Sequence, residues 1–162
     1  MRKTNIADIP EESTKSPSGK FHVIDKPLND ALGGDSRSMD LTKRWPFDVE
    51  LTRLPSGAAN YPFHAHAVAH EFYLVVSGRA IVRHKDGETE VGPGDCFIFL
   101  PGEPHQMVNR SASDVVYYCV TDNPLNDHAY YPDSDKWIVR VPESRLFLQG
   151  ARKVDYYAGE DA

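Results

Sequence analysis

The feature that most limits the fold of this chain is a run of short alternating segments between residues 47 and 121. The segments are rich in β-branched and aromatic residues: FDVELTRL, YPFHAH, EFYLVV, AIVRHK, ETEV, CFIFL, HQMVN and VVYYCV. Turn signals such as Ser77-Gly78 and Gly92-Pro93-Gly94 separate them. Alternation of apolar and polar residues is typical of strands, and no helical period interrupts it. The pattern therefore predicts an all-β sandwich or barrel.

The segments on either side of this core are predicted to be an arm and a tail. Residues 1–46 form the N-terminal arm: residues 1–20 are polar and aperiodic, so we expect them to be disordered or weakly docked, and a short strand is predicted at residues 21–25. Residues 122–162 contain the strand-like stretches WIVRV and RLFLQ and end in a polar tail. We expect these C-terminal strands to pack on the barrel.

Composition excludes several classes of partner. The 162 residues include 18 Lys and Arg against 24 Asp and Glu, a net charge of −6, whereas a nucleic-acid partner normally requires a basic face. No apolar run approaches the ~20 residues that span a bilayer. The opening MRKTNIADIPEE has no apolar core, so it is not a signal peptide. We therefore expect one cytoplasmic domain without nucleic-acid or membrane partners.

Two cysteines, Cys96 and Cys119, are too few for a disulfide framework. Each lies in a predicted strand among apolar residues, so both are predicted to be buried thiols.

Histidines are concentrated in the predicted barrel and suggest a metal site. His64 and His66 lie at the end of a strand, where side chains at i and i+2 point to the same face, about 7 Å apart. Glu71 opens the next strand, and a barrel could bring His105 to the same place. Three histidines and one carboxylate suit a borderline divalent metal: Fe, Mn, Co, Ni, Zn or Cu.

His70 is the alternative ligand to its neighbour Glu71. Adjacent residues of a strand face opposite sides, so only one of the two can point at the ion. We predict that Glu71 points inward and that His70 is outward and structural.

Two stretches of the chain resemble the two motifs of the cupin family. The first reads Gly57, His64, His66, Glu71 and Gly78, and the second reads Gly94-Asp95-CFIFLPGEP-His105-QMV-Asn109. The chain departs from the family pattern in the four residues between His66 and Glu71 and in Leu100, which stands where the proline of the second motif usually lies. Neither departure removes a ligand.

The resemblance implies a cupin-type double-stranded β-helix, a jelly-roll barrel, with residues 47–121 as its core. It also implies one divalent metal ion on His64, His66, Glu71 and His105, and a homodimer that pairs sheets or exchanges its N-terminal arms. The segments LGGD, GDC, VNRS and YPDSDK are similar to small single-domain bacterial cupins over residues 28–140. Such proteins are often labelled sugar phosphate isomerase or mannose-6-phosphate isomerase-like.

Further side chains have predicted roles in the barrel. Tyr73 and Met107 share strand parity with Glu71 and His105, so we expect them to line the cavity, which binds a small molecule. Asn109 is predicted to satisfy backbone groups, and the Gly94-Asp95 pair to form a turn.

Two sets of residues remain open to more than one interpretation. Arg79, Arg83 and Lys85 alternate on one strand, which favours a solvated face; an anion site would need Arg53 and Arg110 as well. The segment from Tyr130 to Trp137 is interpreted as a docking site for the tail or as a subunit contact.

The function favoured by these features is that of a metal-dependent enzyme acting on a small polar metabolite, of the sugar or sugar-phosphate isomerase type. Glu71 and His105 are the candidate catalytic residues, although a metal-bound Glu71 is a poor base and an unbound second base could replace it. The alternatives are an Fe(II)-type dioxygenase and a ligand-binding cupin without turnover.

Overall fold

The computed structural model describes residues 1–141 and 144–160 of the chain. Its strands are β1 (Glu12–Lys15), β2 (His22–Pro27), β3 (Phe47–Leu54), β4 (Ala65–His66), β5 (Glu71–Ser77), β6 (Ala80–His84), β7 (Gly87–Val91), β8 (Cys96–Phe99), β9 (His105–Val108), β10 (Val115–Asp122), β11 (His128–Tyr131), β12 (Lys136–Val141) and β13 (Ser144–Gln149). One short helix, α1, spans Leu28–Ala31, and 3-10 turns cover Ile6–Asp8, Leu41–Lys43 and Pro132–Ser134. The predicted all-β class is confirmed.

The strands form three antiparallel sheets. The main sheet has the order β1-β2-β3-β10-β5-β8, and two smaller sheets have the orders β7-β6-β9 and β13-β12-β11-β4. Buried side chains of the main sheet, including Leu54, Val75 and Tyr117, form one cluster with Val82 and Met107 of a smaller sheet. The sheets therefore pack face to face around a common interior, which is the predicted jelly-roll arrangement.

His64 and His105 connect the two smaller sheets. Their backbones form an isolated antiparallel bridge, in which His64 N donates to His105 O at 3.2 Å and His105 N donates to His64 O at 2.8 Å. This bridge brings together two residues that are far apart in the chain.

The turns predicted from Gly and Asp are confirmed at two places. Gly78 has a φ of +80°, and a Cβ there would clash with the carbonyl oxygen of Asp114, so this turn between β5 and β6 requires glycine. Asp95 Oδ2 accepts a hydrogen bond of 2.7 Å from Gly92 N, which closes the turn before β8.

The N-terminal segment is more ordered than the sequence suggested. Residues 12–15, expected to be disordered or weakly docked, form β1, which pairs with β2. The strand predicted at residues 21–25 is observed as β2, and it pairs with residues 50–53 of β3. Where the pairing of β2 with β3 ends, the side chain of Asn29 in α1 makes hydrogen bonds to the backbone of β3 instead. Its Oδ1 accepts from Val49 N and its Nδ2 donates to Phe47 O. The backbone of the segment and the buried side chain of Asn29 thus complete the main sheet.

The prediction that Cys96 is buried is wrong. Cys96 is exposed because β8 is the edge strand of the main sheet and Cys96 shares the outer face with Ile98. The inward positions belong to Phe97 and Phe99, which pack against Tyr73.

Apolar side chains are exposed on the outer face of β5 and β8. Phe72, Val76 and Ile98 are 36%, 47% and 51% exposed. Homodimerisation stays a prediction, and a second copy could cover this face. Among the described residues, no helix has the length and apolarity that crossing a membrane requires.

Candidate metal centre

The structure brings His64, His66 and Glu71 together at one end of the barrel interior. Their ligand atoms lie within 4.8 Å of one another. His64 and His66 belong to the β4 segment, and Glu71 is the first residue of β5. All three line a cavity of about 280 Å³. Strand alternation places the two histidines on the same face, as the sequence predicted.

His105, the fourth predicted ligand, lies beside this group. Its Nε2 is 2.6 Å from Glu71 Oε2, and its ring centroid is 4.8 Å from that of His64. His105 is outside the set of ligand atoms that lie within 4.8 Å of one another. The ring is held between the Glu71 carboxylate and Phe99, on which it stacks at 4.0 Å.

The Nδ1 atom of each histidine has its own hydrogen-bond acceptor. His64 Nδ1 donates to Pro62 O at 2.8 Å and His105 Nδ1 donates to Glu103 O at 3.0 Å. A carbonyl oxygen can only accept, so Nδ1 carries a proton in both rings. The Nε2 lone pair of His64 is free to bind, whereas Nε2 of His105 is engaged with Glu71 Oε2 at 2.6 Å. His66 Nδ1 donates to Asp127 Oδ2 at 2.6 Å. Holding the second nitrogen in this way is how proteins orient histidine ligands of metals.

The three imidazoles and the Glu71 carboxylate also suit a metal by their chemistry. Three nitrogens and one oxygen are a donor set for a borderline divalent ion, and exposure is low, with His64 6% and His105 2% exposed. Tyr73 OH donates to Glu71 Oε2 at 2.9 Å, which fixes the orientation of the carboxylate. The residues present therefore fit one divalent ion.

Burial and hydrogen bonding set opposite charges on the centre in the metal-free protein. Burial lowers the pKa of His64 to about 4, so this ring is neutral. Burial opposes the charge of His66 as well, but hydrogen bonds to Asp127 and Glu71 outweigh it and raise its pKa to about 10. Burial would raise the pKa of Glu71, yet its hydrogen bonds to His105 and His66 hold it well below its usual range. A bound metal ion would take the place of the imidazole protons that face this carboxylate.

The cavity in front of the centre has an acidic and aromatic wall. It is lined by Glu50, Thr52, Tyr61, Pro62, His64, His66, Glu71, Tyr73, Tyr117, Cys119, Thr121 and Tyr131. Tyr73 lines it as predicted, whereas Met107 does not: it is 2% exposed and packs in the apolar core, so its predicted cavity role is wrong. Cys119 is a thiol of this wall, and burial raises its pKa well above the usual value.

Glu50 is the functional candidate that the sequence did not reveal. It lies on β3, opposite Cys119 of β10, which in turn lies opposite Tyr73 of β5. Its carboxylate makes no hydrogen bond or ion pair within residues 1–141 and 144–160. Burial, and then the charges of Asp25, Asp48 and Glu71, raise its pKa to about 7. Glu50 is therefore a carboxyl group whose pKa lies near neutral pH. It lies beside the centre and outside the group of candidate ligands.

Sequence reasoning also missed Asp127 and Tyr131. Asp127 lies in a polar loop without a motif, and only the fold brings it to His66. Tyr131 belongs to the segment interpreted as a docking site; it lines the cavity and stacks on His64 at 5.4 Å. No local signal distinguishes either residue.

The other predicted polar residues lie away from the centre. His70 is exposed and bonded through Nδ1 to Asp122 Oδ2 at 3.0 Å, so its outward, structural role is confirmed. Asn109 Nδ2 donates to Leu54 O and Ser113 O, as predicted.

The alternative anion site on β6 is not assembled, because each of its cations has a carboxylate partner. These pairs are Arg79 with Glu90, Arg83 with Asp133, Lys85 with Glu103, Arg53 with Glu11 and Asp114, and Arg110 with Glu88. The solvated face is confirmed.

Comparison with known proteins agrees with this architecture. The family model described as Cupin domain matches residues 50–121. A sugar phosphate isomerase from a cupin superfamily, from Silicibacter pomeroyi, has 26% identity and a TM-score of 0.76, with 91% of this chain and 92% of that chain covered. A protein from Acidithiobacillus ferrooxidans, provisionally named a sugar phosphate isomerase, has 18% identity and a TM-score of 0.79, with 93% and 92% covered.

A third similar structure is that of a protein named for a different activity. The polyketide cyclase RemF from Streptomyces resistomycificus has 23% identity and a TM-score of 0.60, with 76% of this chain and 80% of that chain covered. Among curated proteins there is no match. The same fold therefore serves different chemistries, and the fold alone does not select one. Residues 50–121 of this chain therefore match the model of a cupin domain, and a fold similar to that of these solved cupin structures extends over most of its length.

Proposed function

We propose that this protein is a metal-dependent isomerase of a small hydroxy-carbonyl metabolite of the sugar or sugar-phosphate class. The observation that carries the proposal is Glu50, a half-buried carboxyl that has no partner among the described residues and lines the same cavity as the His64, His66 and Glu71 group. The name of the neighbour from Silicibacter pomeroyi, a sugar phosphate isomerase, supports the same reaction class.

The chemistry requires a proton carrier next to the ligand's carbonyl group. A divalent ion held by His64, His66, Glu71 and His105 would supply Lewis acidity toward a carbonyl or hydroxyl oxygen. Glu50 then takes the proton from the carbon beside the carbonyl, which leaves an enediolate, and returns it to the former carbonyl carbon. The hydroxyl proton moves to the other oxygen, so the substrate and product are isomers and no oxidant is consumed.

Glu50 suits this role because of its charge state. A general base works best when its pKa is close to the working pH, and burial raises the pKa of Glu50 to about 7. Glu71 is a weaker candidate than predicted from the sequence, since its oxygens are engaged by His105, His66 and Tyr73. Tyr61, Thr121 and Tyr131 provide hydroxyl groups along the same wall to orient the ligand.

The experiment is proton exchange measured by NMR in D2O. Metal-loaded protein is incubated with a panel of aldoses, ketoses and their phosphates, and both isomerisation and deuterium uptake at the carbon beside the carbonyl are followed. We expect turnover of at least one member by the wild type. Glu50→Gln should lower it by about 10²- to 10⁴-fold with unchanged metal content. Glu90→Gln is the matched control, since it makes the same change on the exposed outer strand β7.

Two results would contradict the proposal. Oxygen consumption with an oxidised product would indicate a dioxygenase, and ligand binding without exchange at any carbon would indicate a binding protein. Equal rates for the wild type and Glu50→Gln would place the base elsewhere in the cavity.

A further inference from the structure

A second, smaller cavity adjoins the metal centre and contains two arginines. Arg44 and Arg140 line a cavity of about 50 Å³, whose wall also includes His66 and Asp127. Arg44 follows the 3-10 turn Leu41–Lys43, and Arg140 lies on β12. Neither arginine lines the metal cavity described above.

Arg140 carries an unsatisfied buried donor. Its Nη1 atom is buried and has no hydrogen-bond partner among the residues that the structure describes. Leaving a charged donor buried without a partner is unfavourable, and such groups are normally paired or bound to a ligand. Arg44 Nε donates to Ser38 O at 3.0 Å, which holds the arginine in place. Within residues 1–141 and 144–160, neither arginine has a carboxylate at ion-pair distance, although the chain is acidic overall.

Arg140 lies near two other positively charged side chains. Arg140 lies opposite Arg145 in the pairing of β12 and β13. Burial, and then the charges of Arg44 and Arg145, lower the pKa of Arg140. Such a cluster repels itself until an anion is bound between its members.

The carboxylates around the cavity are already engaged by other donors. Asp127 accepts from His66 Nδ1 and from the backbone N atoms of Val68 and Ala69. Asp122 accepts from His70 N and Nδ1. Asp48, whose charge raises the pKa of Arg44 more than that of any other carboxylate, accepts from Asn123 Nδ2 at 2.8 Å. These hydrogen bonds leave the guanidinium donors of the cavity available.

We propose that this cavity binds a single small oxyanion of the phosphate type, held by Arg44 and Arg140. Two planar guanidinium groups offer paired donors that match the spacing of phosphate oxygens, and the fully buried Nη1 gains its missing acceptor. The oxyanion is either free phosphate or the phosphate group of a larger ligand. The site stands independently of the proposed isomerisation, because its evidence is confined to the arginines and the cavity.

The test is calorimetric titration of the metal-loaded full chain with inorganic phosphate. We expect one phosphate per chain in the wild type, and at least about tenfold weaker binding in Arg44→Gln and in Arg140→Gln. Arg79→Gln is the matched control: it removes an exposed arginine that precedes β6 and is paired with Glu90, and its binding should equal that of the wild type. Metal content is measured in every variant, so that phosphate bound to the metal is distinguished from phosphate bound to the arginines.

A conservative variant covers the case in which removing a charge unfolds the chain. Arg140→Lys keeps the positive charge but loses the fork of donors, so it should fold and still bind phosphate more weakly. No phosphate binding by the wild type, or unchanged binding in folded Arg44→Gln and Arg140→Gln or Arg140→Lys, would overturn the site.

A parallel titration with hexose phosphates identifies the source of the anion. A sugar phosphate that binds much more tightly than inorganic phosphate, with the same loss in Arg140→Gln, would assign the site to the phosphate group of a larger ligand. Equal affinities with the same loss would assign it to the free ion. Both results depend on the two arginines and support the proposed site.

Discussion

The interior of the barrel has an apolar end and a polar end, and both are built from the same three strands. β3 contributes Leu54 to one end and Glu50 to the other, only four positions apart. β5 contributes Val75 and Glu71 in the same way. Strand pairing places Leu54 opposite Val115 but Glu50 opposite Cys119. The inward face of a strand is therefore not chemically uniform along its length.

The apolar end stabilises the fold, whereas the polar end carries the groups suited to binding a ligand. At the apolar end, Leu54 and Val115 are fully buried and exclude water from the space between the sheets. At the polar end, Glu50 has no partner in the described part of the chain and its pKa is raised by burial and by like charges. Such a group lowers stability when it ionises, so its presence is best explained by a ligand.

The largest change is expected at the apolar end. Leu54→Ala should lower the free energy of unfolding by about 2–5 kcal/mol, because it leaves a cavity at a position with no exposed surface. Denaturant unfolding measures this change. Metal content of the folded variant should remain that of the wild type; a variant that loses metal but not stability would contradict the separation of the two ends.

At the polar end, Glu50→Gln should stabilise the metal-free protein in a pH-dependent way. The folded-state pKa of Glu50 is raised from 4.5 to about 7. The contribution of protonated Glu50 to the free energy of unfolding is therefore fully present below pH 4.5 and is lost as the pH rises through 7. The variant should match the wild type near pH 4.5 and exceed it by up to about 3 kcal/mol well above pH 7. Unfolding with a chelator across this range checks the sign; a constant difference would show that Glu50 does not titrate there.

A smaller effect on metal affinity is expected when a residue that orients a metal ligand is changed. Asp127→Asn should weaken metal binding by about 10- to 100-fold, because a neutral amide oxygen accepts from His66 Nδ1 more weakly than a carboxylate and makes the imidazole a less basic ligand. Asp122→Asn is the matched control, since Asp122 makes the same contact with His70 outside the centre. Competition with a metal-sensitive dye measures both affinities. Equal losses in the two variants would mean that the contact supports the fold rather than the ligand.

The smallest effect concerns the two faces of the main sheet. A thiol reagent should label Cys96 in the native protein without changing its stability, because this side chain faces outward on the edge strand. Cys119 should react much more slowly than Cys96 until the chain unfolds, since it is only partly exposed in the wall of the cavity and burial raises its pKa. Mass spectrometry before and after denaturation distinguishes the two sites, and labelling of Cys119 first would contradict the assignment of faces.

The all-β class and the candidate ligands could be predicted because their signals are local. His64 and His66 share a strand face by spacing alone, and Glu71 opens the next strand. The inward side of β3 could not be predicted in this way. Phe47, Val49 and Leu51 suggest the buried face, but Phe47 is 47% exposed, whereas Thr52 on the opposite face is 3% exposed.

That reversal explains why Glu50 escaped notice. Alternation identifies a strand but does not say which of its faces is enclosed when the outer face also carries apolar side chains. Asp127 escaped for a different reason, since it acquires its role from the pairing of β11 with the distant β4. Arg140 acquires its role from a cavity that it shares with the distant Arg44. Proximity of this kind depends on the whole fold and leaves no trace in a short window of sequence.

The acceptors that hold the histidines differ in how readily evolution can change them. His64 and His105 donate to main-chain carbonyls of Pro62 and Glu103, which no single codon change deletes. His66 donates to a side chain, Asp127, which a one-base change converts to asparagine. Ligand basicity is thus adjustable at one position while two remain constant. Related chains could shift their metal preference by drift at residue 127 without rebuilding the barrel.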